Sequence, residues 1–190
     1  MSFTGLLAQT ATIRRKTAVA KTAATISFVD NGASPDQIKD SGNGLVTAGF
    51  ATGMKVHVTG STLNDGTYTI GTAAGGALTL DPGDALADET AGAAVTLTGA
   101  DAYGQPESVW GDAYTDVPCR VIAGGGREIS IGMQLVVADM AADFDGDVDV
   151  TEKDQVMVDE VTYGVLLVEP FRDMYGAVHH KRAQLQVVRM

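Results

Sequence analysis

The chain reads as all-β: a small β-barrel module interrupted by an inserted second domain of β-sandwich or barrel type. Three observations predict this. Glycine is abundant at 23 residues, Thr and Val are frequent, and aromatics are only 6%, which favours short strands joined by tight turns. Apolar residues alternate at period two in several short runs, and no long stretch carries a helical period. Composition also shifts twice along the chain. From about Ala24 to Ala100 it is rich in Gly, Thr, Ala and Asp and has no Arg; on either side it is richer in Arg, Met and large aliphatics. We therefore expect an outer module from residues 1–23 and 101–190 and an insert from 24–100, both of ordinary domain size.

Phe3 to Gln9 is the one helical candidate, and it is short. In the insert, Ile26-Ser27-Phe28 begins a strand. Lys55-Val56-His57-Val58-Thr59 alternates cleanly, with both valines on one face and His57 on the other. Asn64-Asp65-Gly66 is a hairpin signal, since these residues tolerate positive φ, and Thr67 to Ile70 is its return strand. Ala77 to Leu80 follows, then a turn at Asp81-Pro82-Gly83-Asp84, then Ala94 to Leu97. In the outer module Val117 to Ile122 is a strand, with Pro118 placing it at an edge or a start. Gly124-Gly125-Gly126 is a flexible break. Gln134 to Phe144 puts Met140, Ala142 and Phe144 on one face. Thr151 to Asp154 is a polar turn. Gln155 to Asp159, Thr162 to Glu169 and Arg182 to Val188 are further strands.

The 190 residues carry 13 Lys and Arg against 24 Asp and Glu, a net charge of −11. Residues 1–23 hold Arg14, Arg15, Lys16 and Lys21 and no acid, so the acidity lies in the rest. Such a chain is a poor sequence-independent DNA binder, because duplex affinity comes largely from neutralising phosphates. It is compatible with a wall past which DNA slides without sticking. No apolar run approaches the ~18 residues of a membrane span. The cationic cluster follows the short N-terminal apolar patch instead of preceding it, unlike a secretory signal. The expectation is a soluble, intracellular protein. A lone cysteine, Cys119, excludes an internal disulfide and a cysteine metal cage and reads as a buried thiol.

Four patterns invite a chemical reading. Asp143-Phe144-Asp145-Gly146-Asp147-Val148-Asp149 alternates carboxylates, but a helical calcium loop needs Gly at its sixth position and Glu at its twelfth. Here those positions hold Val148 and Asp154, so the acids read as one solvated strand face. His179-His180 are neighbours on a strand and should point to opposite faces, unable to share a metal. Gly124-Gly125-Gly126-Arg127 lacks the Gly-Lys-Ser/Thr ending of a phosphate loop and reads as a mobile loop suited to partner contacts. Arg14, Arg15 and Lys16 read either as a solvated end or as a grip on an acidic partner. No nucleophile–base–orienter set is visible, so no enzyme, cofactor or metal is expected.

Several ordered pieces of the outer module resemble the head-closure, or stopper, proteins of long-tailed bacteriophages. They are Phe3 to Arg15; Asp101-Ala102-Tyr103-Gly104 with Val109-Trp110; Val117-Pro118-Cys119-Arg120 followed by Gly126-Arg127-Glu128; Val148 to Asp154; and Val178-His179-His180-Lys181. Their order spans nearly the whole outer module. The chain departs from the family pattern where Ala24 to Ala100 interrupts it, so the two flanks of the insert should lie close in space. The insert bears a weaker likeness to small β-modules grafted into phage structural proteins, carried by Gly49-Phe50, Gly53, Thr59-Gly60-Ser61 and Asn64 to Tyr68.

The resemblance implies a virion protein of the neck, assembled in the host cytoplasm. It would form a ring of six or twelve copies below the portal and adaptor rings, seal the channel after packaging and present a face to the tail terminator or tail tube. Genomic DNA would pass without sequence-specific contact. By position, the family's channel loop would fall at Gly124 to Leu135, with Gly124, Gly125, Gly126, Arg127 and Glu128 as candidate gating residues. Arg14, Arg15 and Lys16 are candidate inter-ring contacts. Two other readings stand beside it: a tail terminator at the same joint, and an accessory neck protein whose insert binds host-surface glycans. The insert aromatics Phe28, Phe50 and Tyr68 are few for a sugar platform.

Overall fold

The computed structural model describes residues 3–131 and 134–188. A 3-10 turn at Phe3–Leu6 precedes strands β1 (Gln9–Ala18), β2 (Ala20–Ala23), β3 (Ile26–Val29), β4 (Gln37–Asp40), β5 (Lys55–Thr59), β6 (Gly66–Ala74), β7 (Ala77–Leu80) and β8 (Val95–Ala100). Strands β9 (Ser108–Ile131), β10 (Gln134–Asp145), β11 (Gln155–Val158), β12 (Val161–Arg172) and β13 (Val178–Val187) complete the chain. The fold is nearly all β. The helical expectation over Phe3 to Gln9 shrinks to that single 3-10 turn.

Two compact units result: Met1–Lys16 with Trp110–Met190, and Thr17–Val109. The division is wider than the composition shift suggested, for a local reason. β2 pairs along its length with β8, from Ala20↔Thr98 to Ala23↔Val95, and Val19 N donates to Glu107 O at 3.0 Å. The segments flanking the Arg-free stretch are thus strands and turns of the inserted unit. Tyr103-Gly104 belongs to that unit, while Trp110 belongs to the outer one.

In the outer unit the strands run in barrel order, β1-β11-β12-β13-β10-β9, and among the described residues the pairings of β1 with β11, β11 with β12, β12 with β13, β13 with β10 and β10 with β9 are antiparallel. Alternation fills its interior: Ala11 and Ile13 from β1, Cys119 from β9, Ala142 and Phe144 from β10, Val156 and Val158 from β11, Val165 from β12, and Ala183 and Leu185 from β13. Met140, partly buried, packs against this cluster. Each large side chain so buried contributes about 1.5–3 kcal/mol.

The inserted unit is one seven-stranded sheet in the order β2-β8-β5-β6-β7-β4-β3. It encloses a second core that includes Ile26, Phe28, Ile38, Phe50, Val56, Val58, Ile70, Leu78 and Leu97. β6 makes the enclosure. Its first half pairs with β5, its second half with β7, and the register slips between Ile70 and Thr72. Gly71 sits at the slip, where a Cβ would come within 2.9 Å of Asp81 Oδ1 and 3.2 Å of Leu80 O. A bulge at a glycine is how a strand turns a sheet corner.

Loops of this unit are tied by buried polar groups. Asp40 accepts from Thr25 Oγ1 (2.6 Å), Gly42 N and Gly44 N (both 3.0 Å) and pairs with Lys21 Nζ at 3.4 Å. Asn64 is no turn tip. It is buried, donating to Ala87 O and Glu89 Oε2 and accepting from Ala87 N. The hairpin signal at Asn64-Asp65-Gly66 therefore marks a wider loop whose positive φ falls on Gly60.

Candidate functional site

The basic cluster is built into β1. Arg15 follows Ala11 and Ile13 on the core side of the strand, where the apolar cluster ends. Its guanidinium forms a two-pronged pair with Asp154, Nε to Oδ1 and Nη2 to Oδ2 both at 2.7 Å, and reaches Asp149 Oδ2 at 2.9 Å and Asp149 O at 3.1 Å. The Asp154 side chain is 0% exposed and also accepts from Thr151 N and Oγ1 at 2.8 and 3.0 Å. Burial alone would raise the Asp154 pKa, but Arg15 and Thr151 together hold it below the usual range. Arg15 is thus a clamp on the Thr151 to Asp154 turn. On the other face of β1, Arg14 pairs with Asp112 at 3.1 Å, and Lys16 Nζ lies 5.5 Å from the Trp110 ring centroid. All three cations expected to reach another ring have partners within their own unit.

The Gly124 to Glu128 segment lies in β9, so the expected flexible break is continuous strand. β9 and β10 pair from Phe144↔Cys119 out to Gln134↔Ile131. Gly132 and Met133, inside the expected channel loop, lie outside the described residues. The register slips between Ala138, opposite Arg127, and Met140, opposite Ala123. Gly124, Gly125 and Gly126 therefore face the single residue Asp139. The ladder on both sides holds the glycines extended, and their missing side chains let three residues bulge against one. The register between β10 and β13 ends at Met140↔Leu185. Past it β10 is held to β13 by Val187 N on Asp139 Oδ2 (2.8 Å) and Gln186 Nε2 on Val137 O (3.4 Å). The Gln134 to Asp139 arm is ~20 Å long at strand rise.

His179 and His180 do not point apart. Phe171 pairs with His180 and Arg172 with Val178, so His179 is an extra residue in β13. Both rings consequently lie on one side, their Nδ1 atoms 3.0 Å apart. The His180 ring stacks on Phe171 at 4.5 Å between centroids. Burial lowers the His180 pKa, with His179 and Arg182 adding to the effect against Asp143. The alternating acids are separated rather than gathered on one solvated face. Asp143 is buried and pairs with Arg182 (2.7 Å), β10 ends at Asp145, and Asp149 serves Arg15. Cys119 is fully buried, and burial, aided by Asp159, pushes its thiol up to about 11.

No family model, curated protein or solved structure matches this chain. The outer unit offers a clamped turn beside β1 and a two-stranded β9–β10 arm. Sequence reasoning missed the pairing of the two imidazoles, because a bulge in β13 leaves no mark in the residues themselves. It also missed a cleft beside Lys55 and His57. The alternation of β5 was signal enough to place those two side chains together, but not the turn that closes over them.

Proposed function

We propose that the chain is a ring-forming structural protein of the bacteriophage neck, a head-closure or stopper protein. The observation that carries this reading is the β9–β10 arm, whose bulged glycine run faces Asp139 and whose base rests in a compact barrel. Such an arm is a means for a small subunit to reach into a shared channel. The order of sequence pieces resembling that family supports the same reading, although the Tyr103-Gly104 piece lies in the inserted unit.

In this account six or twelve copies close a ring by repeating one modest contact. The ring docks on the adaptor and portal rings on the head side and on the tail terminator or tail tube on the other. Arg14 and Lys16, on the β1 face away from the core, supply charge at a ring contact, while Arg15 serves the fold. The strong negative charge keeps passing DNA from adhering. The protein resides in the virion neck and carries no catalysis.

A phage whose chain lacks Gly124 to Gly126 and the next few residues tests the arm. Necks should still assemble, and the heads should leak DNA. Full DNA retention would count against the arm as the gate.

A further inference from the structure

On β5, Val56 and Val58 enter the core, so Lys55 and His57 share the outer face. The register sets Thr67 of β6 and Thr98 of β8 directly across from His57 on its two sides. The imidazole Nδ1 is 3.0 Å from Thr67 Oγ1. After β8 the chain folds back through a tight turn fixed by Asp101, whose Oδ1 accepts from Tyr103 N at 2.9 Å and Gln105 N at 2.8 Å. A bridge between Ala100 and Pro106 closes that turn. A cleft of about 360 Å³ results, with Lys55, His57, Thr67 and Thr98 as its floor and Gly104 and Pro106 on its wall. The strand pairing and the turn hold both sides in place, so the cleft is preformed.

Its charge is out of keeping with its surroundings. Residues 17–109 hold only Lys21, Lys39 and Lys55 as bases, against ten acids. Lys21 is taken by Asp40. Among the described residues no carboxylate lies within ion-pair distance of Lys55. The nearby Asp65 carboxylate is occupied by Ser61 N and Oγ at 2.8 and 2.9 Å. The wall turn also carries Tyr103, which is 89% exposed, whereas Phe28 and Phe50 are buried in the core.

We propose that this cleft binds a carboxylate-bearing sugar, a hexuronic acid or a similar acidic saccharide unit. An ammonium with no carboxylate partner among the described residues calls for an anionic group, and a charge-assisted bond is the strongest contact available here. A bare oxyanion would use only the Lys55 end. A pyranose ring also uses the rest: its hydroxyls meet Thr67, Thr98 and the imidazole, and its C–H face packs on the small apolar wall. The volume suits one such ring. The exposed Tyr103 offers an aromatic surface to the next sugar of a chain. This site is independent of the ring and channel reading of the outer unit.

Galacturonate titrated into the full chain, followed by NMR of the His57 ring and the Thr67 and Thr98 amides, tests the proposal. Saturable shifts confined to the cleft are expected, with galactose binding roughly tenfold more weakly. Lys55→Gln should weaken galacturonate by a similar factor at an unchanged melting temperature. Thr98→Val keeps the charge and should still weaken it several-fold. No saturable shift, an equal response to galactose, or inorganic phosphate binding as tightly as galacturonate would each overturn the assignment.

Discussion

Arg15 and Asp154 stand 139 positions apart in sequence, and their two-pronged pair fastens the first strand to the turn before β11. Replacing Arg15 with Ala leaves a buried carboxylate with only Thr151 to satisfy it. We expect a loss of about 2–3 kcal/mol in urea unfolding, and only partial rescue by Arg15→Lys, which lacks the planar fork. Asp40 is the counterpart in the inserted unit. Although burial opposes it, the bonds from Thr25, Gly44, Gly42 and Lys21 bring its pKa from 3.8 to about 2. Its folded-state pKa is thus below its unfolded one. The stability it contributes is complete above about pH 4 and is lost as pH falls toward 2. Asp40→Asn should therefore be less stable at neutral pH and flatter across the acid limb, as urea midpoints at stepped pH will show. At this scale the basic cluster was legible in the sequence and its role was not. Nothing local in Arg14-Arg15-Lys16 says that an acidic turn far along the chain folds against it.

Elements were legible where alternation was clean. Lys55 to Thr59 and Ala77 to Leu80 are strands as read, because two faces in different environments leave a period-two signature. Irregularities hid the rest. The β4 segment Gln37-Ile38-Lys39-Asp40 buries an acid as well as an isoleucine, so its pattern looks polar. Gly124 to Gly126 looks like a loop because glycine propensity is local, whereas the ladder that straightens it comes from β10. The β11–β12 hairpin shows the converse. Asp159 and Glu160 form its two-residue turn at φ 48° and 65°, the left-handed region that such turns require. A residue with a Cβ is strained there by about 1 kcal/mol. Glu160→Gly should raise stability by roughly that amount in thermal or urea unfolding, and a decrease would mean that Glu160 makes a contact worth more than the strain.

At the scale of the molecule, each unit has its own apolar core and its own tied loops. The insert begins and ends with paired chain: Val19 on Glu107 within the inserted unit, and Lys16 over Trp110 within the outer one. That arrangement lets a barrel accept a second domain without losing its strand order. The composition shift puts the ends of the insertion elsewhere than the compact units do, because β2, Ala20-Lys21-Thr22-Ala23, holds neither glycine nor acid to mark it. The channel loop proposed for the outer unit was expected only from a resemblance, because the β9–β10 pairing that makes an arm of Gly124 to Gly126 and its neighbours is set by register with β10 and not by local glycine propensity. We propose that this barrel and its arm close a phage head. The most direct test is electron microscopy of a lysate from phage lacking this gene. Complete, unattached tails beside heads that have lost their DNA are expected. DNA-filled heads with tails of abnormal length, or normal virions, would contradict it.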